Sequence, residues 1–377
     1  MTVMFAILTF LIVLSVLVLV HEAGHFFAAR FFGVKADEFG YGLPPRVFGF
    51  VKENGKWKRI GARDHKRYKN TIWSLNWLPI GGFVKIKGEQ GEGEFDHDSF
   101  HVKPIWQRII ILAAGVGMNW VLAAILLSIA LMIGVPAMAD DLPEGAVVHK
   151  REVTIGEVLK GSGADKAGIQ PFDVLVSVEG EKTISLERTQ ELIANQGTEP
   201  TDVVIKRGNE EMDLVVVPEQ IEELGRPGFG VALFDTGIVS YPPGLAIKNG
   251  VVLTGLYTKA VVLTFLDLFR DLFNGGGDTV DQVSGPVGIA IMTGRVAEQG
   301  FSHLLQFMAI LSVNLAVLNF LPIPALDGGR VMFLVVEALR RKPVNRKVEA
   351  IIHNIAFLIL VALIILVTVH DIGRYFR

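Results

Sequence analysis

Residues 21–25 read HEAGH, and the twenty residues before them, MTVMFAILTFLIVLSVLVLV, contain no ionisable side chain. Whether that run crosses a membrane decides the fold. Two histidines and a glutamate at the end of such a helix are expensive to leave unpaired in hydrocarbon. H-E-x-x-H on a helix sets two imidazoles one turn apart on a single face, within reach of one ion, and places the glutamate where it can reach a water beside that ion.

Composition agrees with a membrane setting. Half of the 377 residues are hydrophobic, more than a soluble enzyme usually carries, and the length allows two or three units. The absence of cysteine rules out disulfides and thiolate metal sites, so His, Asp and Glu are the only strong ligands available. A net charge of −3 with no long basic run argues against nucleic acid as a partner.

A helix crossing roughly 30 Å of hydrocarbon needs about 20 apolar residues. The criterion is met by 3–20 running on through HEAGH, by 109–134 and by 304–326, with 351–369 nearly as good. The first segment has no basic n-region and no small-residue cleavage site before His21, so it is expected to be a permanent span and not a cleaved signal. Residues 33–104 hold 13 Lys/Arg against 9 Asp/Glu and residues 328–350 hold 6 against 2, whereas 135–302 hold 13 against 25. The positive-inside rule therefore makes the first two stretches cytoplasmic and the acidic middle external, with HEAGH toward the cytoplasmic end of its helix. Segment 244–266 is also long, but it carries Lys248 and Lys259 and reads as an amphipathic helix on the outer surface. A fifth span there would turn the segment ending in Asp327 the other way up.

Two histidines and a water leave a tetrahedral ion one ligand short. A soluble zinc peptidase of the His2Glu type draws a glutamate from a nearby helix, but Glu38 lies in the Gly/Pro-rich stretch FFGVKADEFGYGLPPRVFGF (31–50), which does not read as helical. Asp327 stands out instead, because LNFLPIPALDGGR closes the third span with a carboxylate among prolines and glycines. The alternative for Asp327 is an N-cap of a cytoplasmic helix over 329–341, which leaves the preceding prolines unexplained. Gly24, between the histidines, lets another backbone come close.

Residues 149–220 change character. Short alternating strands broken by Gly and Pro turns, with the polar helix pattern SLERTQELIAN, describe a small α+β domain. With its GSGADKAGIQPFD turn, the stretch resembles a PDZ domain of the bacterial protease-associated type, a fold that takes up extended peptides at a sheet edge. Phe172 departs from that family, whose turn has Gly after Pro, and a packing module without ligand stays open as the alternative.

HEAGH in the first span, the PDZ-like insert and NFLPIPALDGG closing the third together resemble the site-2 proteases, the intramembrane zinc metalloproteases, and most closely their bacterial RseP/RasP-like branch. NWLPIGGFVKIKGE (76–89), AAGVGMNW (113–120) and SGPVGIA (284–290) fall in the family's order, with Gly115-Val116 where relatives often have Gly-Pro. The resemblance implies a polytopic α-helical membrane protein of about four transmembrane helices, with a cytoplasmic-side membrane-associated β-hairpin region and one extracytoplasmic α+β PDZ domain. The expected segments are a first transmembrane helix in 1–32, the cytoplasmic-side loop in 33–104 and a second transmembrane helix in 105–135. The PDZ domain in 149–221 and a linker with the amphipathic helix in 222–302 follow. A third transmembrane segment in 303–328, a cytoplasmic loop in 329–350 and a fourth transmembrane helix in 351–371 complete the chain.

The resemblance further implies that His21, His25 and Asp327 bind Zn2+, that Glu22 is the general base, and that Asn314 and Asn319 help hold the substrate backbone. Read from the residues alone, those asparagines would equally serve interhelical hydrogen bonds. Asn119 reads as a packing or supporting residue. Helical substrates must unwind before attack, because their carbonyls are held in i to i−4 bonds. An edge near 80–87, with Gly81 and Gly82 allowing close approach, suits strand addition. The expected partners are single-span membrane proteins, the lipid bilayer, and peptide or substrate termini at the PDZ domain, with multi-pass residence in a bacterial cytoplasmic membrane. The expected activity is hydrolysis within transmembrane segments, as in regulated intramembrane proteolysis of anti-sigma factors or remnant signal peptides, with the PDZ domain filtering substrates by size. A catalytically silent PDZ scaffold would have no use for Glu22, and a metal transporter would show paired half-helices or repeats that are missing.

Overall fold

The computed structural model describes residues 3–64, 66–89, 96–139, 142, 145–208, 210–221, 226–274 and 285–375. The chain divides into two compact units, Met1–Ile129 with Ile247–Arg377, and Ala130–Ala246.

The first unit opens with α1 (Val3–Phe31), apolar on all sides up to His21. Gly33, at φ +68°, ends it by turning the amides of Gly33 and Val34 back onto the carbonyls of Arg30 and Ala29, at 3.1 and 2.8 Å. Then come β1 (Ala36–Glu53), β2 (Lys56–Gly61) and β3 (Ile72–Ile86), an antiparallel sheet in the order β2-β1-β3. Asn54 and Gly55, both at positive φ, make the tight turn between β1 and β2 that an Asn-Gly pair favours. β3 wraps around the start of β1, so that Phe39 pairs with Trp73 on one side and with Val84 on the other, and Tyr41 with Leu75 and Gly82. The expected hairpin region is thus a three-stranded sheet whose outer edge is the 82–86 stretch. α2 (Ile105–Ile133) follows Pro104 and stops at Gly134, whose φ of +114° suits glycine.

The second unit is built on β4 (Val135–Met138), β5 (Val147–Val158), α3 (Gly163–Lys166), β6 (Val174–Val178), β7 (Glu181–Lys182), α4 (Leu186–Asn195), β8 (Thr201–Arg207), β9 (Glu210–Val216), β10 (Glu219–Ile221), β11 (Arg226–Gly228) and β12 (Val231–Ser240). Its main sheet runs β4-β12-β5-β6-β8-β9, with β7 on β6. The core is the inward row Ile155, Leu175, Val178, Val203 and Ile205, closed by Leu192 and Ile193 of α4 and by Phe229. α4 starts where Ser185 caps the amide of Arg188 and the buried Asp235 accepts from the amide of Leu186. The sheet takes in strands outside 149–221: β12 pairs along β5 and carries β4 on its other side. Sequence reading misses β12 because VALFDTGIVS lies beyond a polar linker and alternates only in part. Phe172 is 82% exposed at φ +73°, which explains why glycine suits this turn position.

The chain returns to the first unit with α5 (Pro243–Asn274), α6 (Pro286–Gln299), α7 (Phe301–Phe320), α8 (Asp327–Arg340) and α9 (Arg346–Tyr375). Ser284 of the SGPVGIA stretch lies outside the described residues. Pro286 opens α6, and the first turn of that helix donates the Gly288 amide to the buried Asp371 carboxylate of α9 at 2.8 Å. Helices over Met4–Phe31, Ile105–Ile133, Pro243–Leu268, Phe301–Phe320 and Lys347–Gly373 are long and apolar enough to cross a membrane. The 244–266 segment therefore has the length of a span as well as the lysines of an interfacial helix. It meets α2 where Gly250 lies against Ser128 and the carbonyl of Ala124. The third span ends earlier than 303–328, because Pro322 and Pro324 stop α7 at Phe320 and Asp327 opens a new helix, α8.

In the second unit, burial alone would raise the Asp173 carboxyl, but the Arg207 guanidinium at 2.7 and 2.8 Å and the Gln170 amide hold it below the usual range. A lowered folded-state pKa stabilises above the unfolded value of about 3.9 and is lost as pH falls through the folded value. Protection of β6 and β8 amides against hydrogen exchange should therefore fall below about pH 4 in the wild type. In Asp173→Asn protection should be lower at pH 7 and lose that acid dependence.

Candidate metal centre

The three ligand candidates, 306 residues apart in sequence, meet at one point. His21 and His25 are both 6% exposed, one turn apart on α1, with their Nε2 atoms 3.2 Å apart. Asp327 Oδ2 lies 2.9 Å from Nε2 of His21 and 3.3 Å from Nε2 of His25. These three atoms could hold one metal ion. Tetrahedral zinc with bonds of about 2.0–2.1 Å has ligand-to-ligand edges of roughly 3.3 Å. The observed triangle matches that edge length, so the residues fit the ion.

The far side of each imidazole decides which nitrogen is left for a metal. His25 Nδ1 donates to the Ile111 carbonyl at 2.9 Å, which leaves the Nε2 lone pair facing the centre. His21 Nδ1 lies 3.1 Å from Asn119 Nδ2, while Asn119 Oδ1 is buried without a partner. With the amide turned so that Oδ1 accepts from Nδ1–H, the orphan oxygen is satisfied and Nε2 of His21 is also left for the ion. Asn119 is itself tied to α7, its carbonyl accepting from Ser312 Oγ at 2.8 Å. Asn119 is therefore the partner of a candidate ligand and more than a packing residue.

Glycines make the convergence possible. A Cβ on Gly24 would lie 2.3 Å from the Ala114 carbonyl oxygen, so α1 and α2 touch backbone to backbone at the motif. A Cβ on Gly115 would lie 2.4 Å from Nε2 of His25 and 2.8 Å from Cε1 of His21. On the third element, the turn 321–326 folds over the start of α8. Added Cβ atoms on Gly328 and Gly329 would lie 2.2 Å from the Leu321 carbonyl oxygen and 2.3 Å from that of Ile323. The two glycines after Asp327 are what allow a proline turn to reverse the chain so tightly.

Glu22 points elsewhere than its neighbours. Its Oε2 accepts from the Val84 amide at 3.0 Å, which places the carboxylate against the outer edge of β3. Gly81 and Gly82 do permit a close approach, but of α1: added Cβ atoms would meet Val18 at 3.0 Å and Leu19 at 2.7 Å. Their place beside the sheet edge is fixed by helix packing. Asn314 and Asn319 are half-buried on α7, and neither side chain makes a hydrogen bond among the described residues, so the interhelical role finds no support.

A cavity of about 700 Å3 lies between α2, α8 and α9, lined by Glu89, Arg108, Arg330, Glu337, Glu349 and His353 together with apolar side chains. Arg108 pairs with Glu337 at 2.5 Å, and Arg330, one turn beyond Asp327, pairs with Glu89. Asn119 takes the supporting alternative that the sequence offered for it, beside His21, whereas the steric role of Gly115, one turn earlier on the same helix face, was missed. Arg330 and His353 gave no signal in the sequence.

Peptidase family M50 matches residues 9–363. A Clostridium perfringens protein that carries a zinc metalloprotease name is 34% identical over 99% of this chain and 98% of its own length. The regulator of sigma-W protease RasP of Bacillus subtilis is 29% identical, over 98% of this chain and 99% of its own. The zinc metalloprotease RasP of Bacillus licheniformis is 28% identical over the same shares.

Gly115 offers the sharpest test of the geometry. Gly115→Ala should fold, because alanine is a better helix former than glycine, yet metal analysis of the purified protein should show zinc reduced at least about tenfold relative to wild type.

Proposed function

The chain belongs to peptidase family M50, and on that premise we propose that His21, His25 and Asp327 hold the zinc ion of a site-2-type zinc metalloprotease and that Glu22 is its general base. The observation that carries this is the triangle of three Nε2 and Oδ2 lone pairs at 2.9–3.3 Å with Glu22 next in sequence to the first of them. Bound there, zinc supplies Lewis-acid polarisation of the scissile carbonyl and a lowered pKa for the attacking water. Glu22 would accept a proton from the attacking water at its carboxylate and return it to the leaving amine.

The substrate is a peptide bond inside the membrane-spanning segment of a single-span protein. Such a segment must leave its helix to be cut, and the outer edge of β3 offers it a strand to pair with. Val84, whose amide bonds Glu22, lies on that edge. A strand added at Gly82–Ile86 would run past the base, and the free amides of Asn314 and Asn319 hold its backbone from α7. The cavity beside α8, whose lining includes Arg330 one turn beyond Asp327, is the route we assign to water.

Four spans with α5 on the outer surface put Asp327 on the same side as HEAGH, and their hydrogen-bonding distance supports that parity. The 33–104 and 328–350 stretches then face the cytoplasm of a bacterial cell, whose inner membrane holds the protein. The second unit is a PDZ domain that binds extended substrate termini and admits proteins already shortened outside, so that anti-sigma factors and remnant signal peptides are the fitting substrate class.

Glu22→Gln tests the base. Purified with a single-span substrate, the variant should keep stoichiometric zinc while cleavage falls by at least about a hundredfold; cleavage at the wild-type rate would remove Glu22 from the mechanism. Removal of the second unit tests the filter. A chain lacking residues 135–240, with its flanking helices joined by a flexible linker, should cut substrates that still carry their outer domains, and continued protection of those substrates would contradict the filter.

A further inference from the structure

The turn that delivers Asp327 contains a residue whose backbone is held from outside. Ala325, two residues before Asp327, sits at φ +83°, a conformation that glycine adopts freely and that the Cβ of alanine opposes. Such conformations persist only where the surroundings over-determine them. The turn binds itself through the Ile323 amide to the Leu321 carbonyl at 2.7 Å and the Leu326 amide to the Ile323 carbonyl at 3.1 Å. The Ala325 amide goes elsewhere: it donates to Nδ1 of His353, on α9, at 2.8 Å.

His353 is shaped for that single task. Its ring packs against Phe333 of α8, with centroids 5.4 Å apart. Because Nδ1 accepts, the proton of the neutral ring is on Nε2, which is buried, has no hydrogen-bond partner among the described residues, and lies 3.9 Å from Glu349 Oε1. A buried imidazole that leaves one nitrogen unsatisfied is retained at a cost, and the bond it does make is to the strained residue two positions before Asp327.

We propose that His353 is a positioning residue for the metal centre: by accepting the Ala325 amide it locks the 321–326 turn in the conformation that aims the Asp327 carboxylate at His21 and His25. The inference rests on the assignment of Asp327 as a zinc ligand. It makes α9, a helix that contributes no ligand, responsible for the geometry of the third one. It also explains why a hydrogen-bond acceptor stands at 353, on the helix that packs against the turn.

Zinc titration of the purified full-length chain against a competing chelator provides the test, with catalytic constants measured in parallel. His353→Leu should weaken zinc binding about tenfold, the size typical of losing a supporting partner, and lower kcat more than it raises KM, while thermal unfolding of the zinc-free protein stays as in wild type. His353→Asn, whose Oδ1 lies close to the place of Nδ1, should hold zinc within about threefold of wild type. Adding Ala325→Gly to His353→Leu should recover most of the lost affinity, because glycine needs no latch at φ +83°. Wild-type zinc binding in His353→Leu would overturn the proposal, as would a double variant no better than His353→Leu. Should the leucine variant fail to accumulate, the asparagine variant decides alone: affinity within about threefold supports the latch and a tenfold loss overturns it. Asp327→Ala in the same titration separates the two levels. If it binds zinc like wild type, the ligand assignment itself fails; if it loses zinc and His353→Leu does not, only the latch fails.

Discussion

Two imidazole nitrogens and a carboxylate oxygen converge within 2.9–3.3 Å of one another between apolar helices, an arrangement that a shared cation would stabilise. Burying a carboxylate among apolar helices is costly unless it is paired, and three converging lone pairs add mutual repulsion. A cation reverses the sign of every one of these terms. The rest of the first unit brings the three groups together: α1 carries His21 and His25, α8 opens with Asp327, and α2 supports both histidines from behind.

The role of α2 is the least obvious and the most constrained. Ala114 touches Gly24, Gly115 leaves the volume that the imidazoles occupy, the Ile111 carbonyl fixes the tautomer of His25, and Asn119 reaches His21. These contacts span two turns of one helix face, so a single helix-to-helix approach sets the orientation of both ligands. The approach is close because Gly24 has no side chain where it meets the Ala114 carbonyl, which is a packing requirement. The same logic makes Gly328 and Gly329 partners of the proline turn, and Gly81 and Gly82 partners of α1.

Much of this was legible in the sequence. HEAGH, its apolar run and the carboxylate of LPIPALDGG single out the three groups that the fold brings together, because burial of ionisable groups in hydrocarbon is rare enough to be read directly. The long apolar helices are legible for the same reason. What was not legible depends on contacts between distant segments. The end of α7 at Phe320 and the start of α8 at Asp327 turn on how the prolines are placed, and β12 joins a sheet whose other strands lie before a polar linker. Nothing in the sequence singles out His353; only its distance to the Ala325 amide gives it a purpose. The asparagines on α7 read equally well as interhelical bonds or as substrate contacts, and among the described residues neither side chain makes a hydrogen bond.

The most direct measurement of the central claim is X-ray absorption at the zinc edge of the purified wild-type protein, which reports the type and number of atoms bound to the metal. The account predicts one zinc per chain with two imidazole nitrogens, the remaining scatterers being oxygen, at about 2.0–2.1 Å. A first shell without imidazole, or a protein purified active with no zinc bound, would contradict it.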